Sequence, residues 1–177
     1  MVGTKKTRSQ LLELYKGVMP LLIKLEIQCI LFYGTLLGFQ RESNFIEGDD
    51  DIDILVSRND YMKLWRYLKV NNIAHKEYLN LLQLHHNDLG PFDVYSYDLE
   101  LDRSLVLVKH NKLQYPYDLI FPVKDAVYHD FNVHVPSEIE KIIVLSYGED
   151  WKTPVIKEKL DWKNIISKSC FITPVKR

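Results

Sequence analysis

The sequence predicts an α+β domain, and three observations predict it. Segments with apolar residues at helical spacing run from Ser9 to about Glu26, from Asp60 to Lys69 and from Ser137 to Tyr147. Between the first two lies Gly48–Val56, Gly-Asp-Asp-Asp-Ile-Asp-Ile-Leu-Val, whose alternation is that of a strand. From Ile73 onward short apolar runs broken by turn residues replace the helical pattern. At 177 residues with 46% hydrophobic content, the chain has material for one domain with a sizeable core.

Ser9 is placed to cap the first helix, whose apolar stripe is Leu11, Leu12, Tyr15, Val18, Leu22 and Leu25. Pro20 falls inside it and is expected to kink or split it. Cys29–Tyr33 is an apolar run of strand length. It stops at Gly34-Thr35, and Leu36–Phe39 follows as a short helix. A strand that enters a helix through Gly-Thr leaves backbone N–H groups free at the helix start, where an anion is favoured. The same pair also suits an ordinary turn. Arg41 opens a polar loop to Gly48, either as a phosphate clamp or as a solvated surface residue.

In the strand that follows, Ile52, Ile54 and Val56 share the core face, and Asp49, Asp51 and Asp53 share the other. Like charges so placed repel by about 4 kcal/mol at 4 Å in an effective dielectric of about 20. A hard cation relieves that repulsion, and Mg²⁺ takes carboxylates together with substrate phosphates. The pattern is that of a metal platform for phosphate chemistry; an acidic loop before a strand is the alternative.

Ser57 or Asn59 caps the next helix, with Tyr61, Leu64, Trp65 and Leu68 on its apolar face and Asn71-Asn72 at its end. Strands are expected at Leu81–His85, Pro91–Tyr97, Leu105–Lys109 and Val127–Val135. Asp93 stands between Phe92 and Val94, so it points opposite to them, either to water or into the acidic site. Ser137-Glu138-Ile139-Glu140 has the form of a capping box, and Gly148 is a natural helix stop. The last twenty or so residues, with Trp162, Ile165 and Ile166, carry the pattern of a terminal helix. His85-His86 lies near Asp88 and Asp93, but adjacent strand residues face opposite ways, which disfavours a shared zinc.

The formal charge of -1 lacks the basic footprint of a nucleic-acid binder. Cys29 and Cys170 make no disulfide framework. The basic start is followed by Glu13, Lys16 and Lys24, so neither a signal peptide nor a membrane span is expected and a cytoplasmic location follows.

Taken together, Tyr33–Gly38, Arg41, Phe45-Ile46 and Asp49–Ile54 resemble the LicD family, as do Pro91–Val94, Phe121-Pro122 and Tyr147–Pro154. The matches run to about residue 154, with 155–177 as a C-terminal extension of one domain spanning 1–177. The resemblance implies a nucleotidyltransferase-like fold, a small mixed sheet flanked by helices. It implies transfer of a phospho-alcohol group such as phosphocholine or ribitol phosphate from a CDP-activated donor to a glycan or glycolipid hydroxyl, with release of CMP. It assigns Gly34 and Thr35 to donor phosphates, and Asp51, Asp53 and Asp93 to catalysis and to Mg²⁺ or Mn²⁺. Arg41 is then a second phosphate clamp, and Asp49 an outer ligand. Glu47-Gly48 and Glu42-Ser43-Asn44 depart from the family pattern, and leave the transferred alcohol open. An NTP-using nucleotidyltransferase and a non-catalytic nucleotide-binding protein are the other readings.

Overall fold

A computed structural model of the chain describes residues 4–154. The first helix, α1 (Arg8–Lys24), begins two residues earlier than a Ser9 cap would start it. Its cap is Thr7, not Ser9: the Thr7 side chain accepts from the Gln10 N–H, and the Gln10 side chain accepts from the Thr7 N–H. Pro20 does not divide the helix; it lies on the exposed side of one continuous element. Leu11, Leu14, Tyr15, Val18, Met19 and Leu22 are the buried stripe.

The strand expected over Cys29–Tyr33 is shorter, β1 (Ile30–Leu31), because Phe32 is already the cap of α2 (Tyr33–Glu42). Gly34 and Thr35 therefore belong to the first turn of a ten-residue helix rather than to a loop before a four-residue one. Tyr33 has φ +40°, a left-handed conformation that costs a bulky residue energy. β2 (Ile52–Ser57) leads directly into α3 (Arg58–Val70), whose cap is Ser57.

The second half is richer in strands than the sequence pattern shows. It holds β3 (Lys76–Tyr78), β4 (Leu81–His86), β5 (Leu89–Leu99), β6 (Leu105–Val108) and β7 (Leu113–Pro116). A single turn, α4 (Tyr117–Ile120), comes next. The single strand expected over Val127–Val135 is instead a hairpin, β8 (Lys124–Tyr128) and β9 (Phe131–Val135). His129 and Asp130 turn it with φ of +46° and +71°, positive at both positions as a tight hairpin requires. The last described helix is α5 (Ile139–Tyr147). Its capping box does not form. The Ser137 and Glu138 N–H groups donate to the Ile120 and Leu119 carbonyls, tying this corner to α4 instead. Gly148 ends α5 at φ +88°. The terminal helix expected around Trp162 lies outside the described residues.

The strands form one mixed sheet in the order β3-β4-β5-β2-β1-β9-β8, with β6 and β7 continuing from the far half of β5. β2 runs parallel to β5 and β1 parallel to β9; the other pairs are antiparallel. α1 packs against β4 and β5, α3 against β2 and β5, and α2 against β2 and α5. Tyr15 of α1 is a centre of the core: its ring stacks at 6.2 Å on Phe92 and meets Phe45, Tyr128 and Phe131 edge-on. The face of β5 that carries Phe92 is thus buried under α1, and the residues between, Asp93 and Tyr95, are sent to the opposite face. Among the described residues no helix is long and apolar enough to cross a membrane.

Candidate functional site

The parallel pairing of β2 and β5 builds the site. Its register sets Asp53 directly beside Asp93, both nearly buried at 5% and 4% exposure. Ile52 and Ile54 align with Phe92 and Val94, so the apolar neighbours anchor both aspartates from the other face. Because β2 begins at Ile52, strand alternation places only Asp53; Asp49, Asp50 and Asp51 arrive from the preceding loop. Carboxylate oxygens of Asp51, Asp53 and Asp93 nevertheless lie within 4.8 Å of one another. Asp49, Asp50 and Asp51 form a second such group, and Asp51 is common to both.

The start of α2 abuts these acids. The Gly34 N–H donates to Asp53 Oδ2 at 3.1 Å, and the Thr35 hydroxyl accepts from the Asp53 N–H at 2.8 Å. A Cβ at residue 34 would stand 2.7 Å from Asp49 Oδ2 and 3.4 Å from Asp53 Oδ2. Gly34 is needed for space: the Asp49 carboxylate occupies the volume a side chain would fill, with Asp53 in contact behind it. The positive end of the helix dipole also favours negative charge here. In this geometry the Gly34 and Thr35 groups are turned onto β2, where they hold Asp53 in place.

Arg41 sits at the other end of α2. It lies seven positions after Gly34, about 10 Å along the axis at the helical rise. Its Nε donates to Glu42 Oε1 at 2.9 Å and its Nη1 to the Trp151 carbonyl at 3.4 Å. The structure brings Asp49, Asp51, Asp53, Asp93, Gly34 and Thr35 together, and sets Arg41 apart from them.

Several residues escaped the sequence reading. Gln83, opposite Asp93 on β4, and Tyr95, two residues further along β5, each donate to Asp93 Oδ2 at 3.4 Å. Burial and then the charges of Asp53, Asp93 and Asp51 push the Tyr95 hydroxyl far above its ordinary range, so it stays protonated. Tyr147, at the end of α5, is pushed up the same way, by burial and then Asp53, Asp49 and Asp51. The Tyr33 ring meets Tyr95 edge-on at 5.2 Å, and Asn111 in the β6–β7 turn donates to the Tyr33 hydroxyl at 2.5 Å. Tyr95 was readable in principle, since it alternates in phase with Asp93. Gln83 and Asn111 were not, because their approach depends on strand pairing.

The donor set fits a divalent hard cation. Asp51, Asp53 and Asp93 offer only oxygen, as Mg²⁺ and Mn²⁺ prefer. Neither His85 nor His86 joins a group able to hold a metal among the described residues. Their rings lie against Gly90 and Gly17, where no Cβ would fit.

Comparison with known proteins agrees with the fold. The family described as LicD/FKTN/FKRP, nucleotidyltransferase domain, matches residues 26–138, an interval that contains all the aspartates above. The chain is 29% identical over 173 residues to the human protein named Ribitol-5-phosphate transferase FKTN, covering 92% of this chain. It spans 36% of that relative's length. Among solved structures, the lincosamide antibiotic adenylyltransferase LnuA, lincomycin-bound, superposes with a TM-score of 0.56. That alignment covers 91% of this chain and 97% of the other at 17% identity, which is a likeness of fold.

Proposed function

We propose, from the premise that this chain belongs to the LicD/FKTN/FKRP nucleotidyltransferase family, that it transfers a phospho-alcohol group. The donor is CDP-activated, the acceptor is a hydroxyl of a glycan or glycolipid, and CMP leaves. The observation that carries the reading is the convergence of Asp51, Asp53 and Asp93 from a loop and two parallel strands. The relative named as a ribitol-5-phosphate transferase supports the class of group moved.

In the reaction a bond forms between the acceptor oxygen and the donor phosphorus that bears the alcohol. The bond from that phosphorus to the oxygen of CMP breaks, and the acceptor proton is released. Asp51, Asp53 and Asp93 would hold Mg²⁺ or Mn²⁺, which when bound neutralises charge on the donor phosphates and on the departing CMP. Asp53 is held for this by Gly34 and Thr35, and Asp93 by Gln83 and Tyr95. Asp93 is also the carboxylate on β5 able to accept the acceptor's hydroxyl proton. Tyr95, staying neutral, orients that carboxylate without competing for the proton. Asp49 closes the site over Gly34 as an outer group.

The test is a donor screen with Mg²⁺ or Mn²⁺ across CDP-choline, CDP-ribitol, CDP-glycerol and plain NTPs, with the released nucleotide identified. CMP release from a CDP-alcohol, abolished by chelator and by Asp53→Asn, is the expected result. Pyrophosphate from an NTP reassigns the protein to nucleotidyl transfer, and no turnover of any donor reduces it to a binding protein.

A further inference from the structure

Lys6 is buried, with 6% exposure, before the first helix and twenty residues ahead of the interval that matches the family. Burying an ammonium is costly unless it is paired. Its surroundings are the acidic loop. The Lys6 N–H donates to the Asp49 carbonyl at 2.9 Å, and its carbonyl accepts from the Gly48 N–H at 3.0 Å. Its ammonium donates to the Thr4 carbonyl at 3.1 Å and to the Asp50 carbonyl. Two residues on, the Arg8 N–H donates to Glu47 Oε2 at 3.1 Å and its Nε to the Phe45 carbonyl at 2.9 Å. Residues 6–8 thus run along the loop from Phe45 to Asp50 as a strap. Within the loop, the backbone is held by the Asp49 N–H on the Ile46 carbonyl and the Asp50 N–H on Asp49 Oδ1.

We propose that Lys6 is a positioning residue for the metal-binding carboxylates: an internal cation that draws the 48–51 loop inward so that Asp51 meets Asp53 and Asp93. The backbone contacts of the strap are open to any residue. The ammonium is specific to lysine, and it lies where consecutive aspartates, one of them the buried Asp50, would otherwise push the loop outward. The inference rests on the metal-dependent reading above.

Its test separates position from charge. By charge alone, deleting a cation beside an anionic site strengthens metal binding. By position, the loop slackens and binding weakens. Mn²⁺ is titrated calorimetrically into the metal-free full chain, with folding followed by circular dichroism. Lys6→Met is expected to stay folded and to bind Mn²⁺ roughly ten- to a hundred-fold more weakly, the loss seen when groups behind metal ligands are removed. Thr7→Ala, which removes the adjacent helix cap, is expected to lower stability and keep wild-type affinity. Unchanged or tighter binding by Lys6→Met overturns the proposal, as does an equal loss in Thr7→Ala. Should Lys6→Met not fold, Lys6→Gln, which removes the charge and keeps an N–H donor, is titrated in its place: weaker Mn²⁺ binding supports the proposal, and unchanged or tighter binding overturns it. A wild type that binds no Mn²⁺ defeats the functional reading itself, and this inference with it.

Discussion

Thr35 and Gly34 carry different burdens, although the sequence presents them as one motif. The Thr35 hydroxyl is the acceptor for the Asp53 N–H in a buried setting. Thr35→Ala leaves that donor unsatisfied, at a cost of about 1–3 kcal/mol. A denaturant melt is expected to show the loss and Thr35→Ser to recover it. Gly34→Ala is expected to move stability by no more than about 1 kcal/mol, because a helical alanine gains roughly what a displaced carboxylate tip loses. Its effect falls on function: the Asp49 carboxylate is shouldered aside, and Mn²⁺ affinity by titration drops below wild type. The acids themselves were readable because Phe92 and Val94 fix where Asp93 points. Lys6 and Asp50 were not, because nothing local tells a buried lysine from a surface one.

Elements with a strong helical period, α1 and α3, were legible to within a residue or two, since one apolar stripe suffices to define them. The β8–β9 hairpin was hidden because His129-Asp130 lacks the Asn-Gly signature that marks such a turn. β3 was hidden for another reason: Lys76–Tyr78 is exposed throughout and has no apolar alternation. It pairs with β4, and Glu77 ties it to α3: Glu77 pairs with Lys69 and accepts from Trp65 Nε1 at 3.0 Å, both on α3, and lies 2.9 Å from His75 Nε2. The Lys69 contact first, then Trp65, lowers the Glu77 carboxyl from 4.5 to about 2. The folded value lies below the unfolded one, so this stabilisation is present above pH 4.5 and disappears as pH falls through about 2. Glu77→Gln is therefore expected to be less stable than wild type at pH 6, with the gap closing toward pH 2 in urea melts. An NMR titration of Glu77 checks the carboxyl directly.

At the scale of the molecule, the sheet order places β2 and β5 side by side near its middle and hangs the acids on that seam. Crowded carboxylates oppose folding until a cation joins them, so divalent metal with a cytidine nucleotide is expected to raise the melting temperature. A ligand at roughly 100 times its Kd contributes about 2.7 kcal/mol, or about 5–10 °C for a chain of this size. The Asp51→Asn, Asp53→Asn double variant is expected to lose that shift while matching or exceeding wild-type stability without metal. A wild-type melt unmoved by millimolar Mg²⁺ and CMP counts against the site. The α+β class was legible from the alternation of periods along the chain. The parallel seam was not, because no local pattern states which strands pair.

Asp53 and Asp93 sit on strands separated in the chain by α3 and the β3–β4 hairpin. Bringing β2 and β5 together is a long-range closure, whose entropy cost is paid before the contact rewards it. A cation bridging them can grip only molecules that have already completed that step. In stopped-flow experiments Mn²⁺ is then expected to slow unfolding in proportion to its occupancy and to leave the refolding limb where it was. A cation bound there would act as a latch on the finished fold rather than a guide toward it.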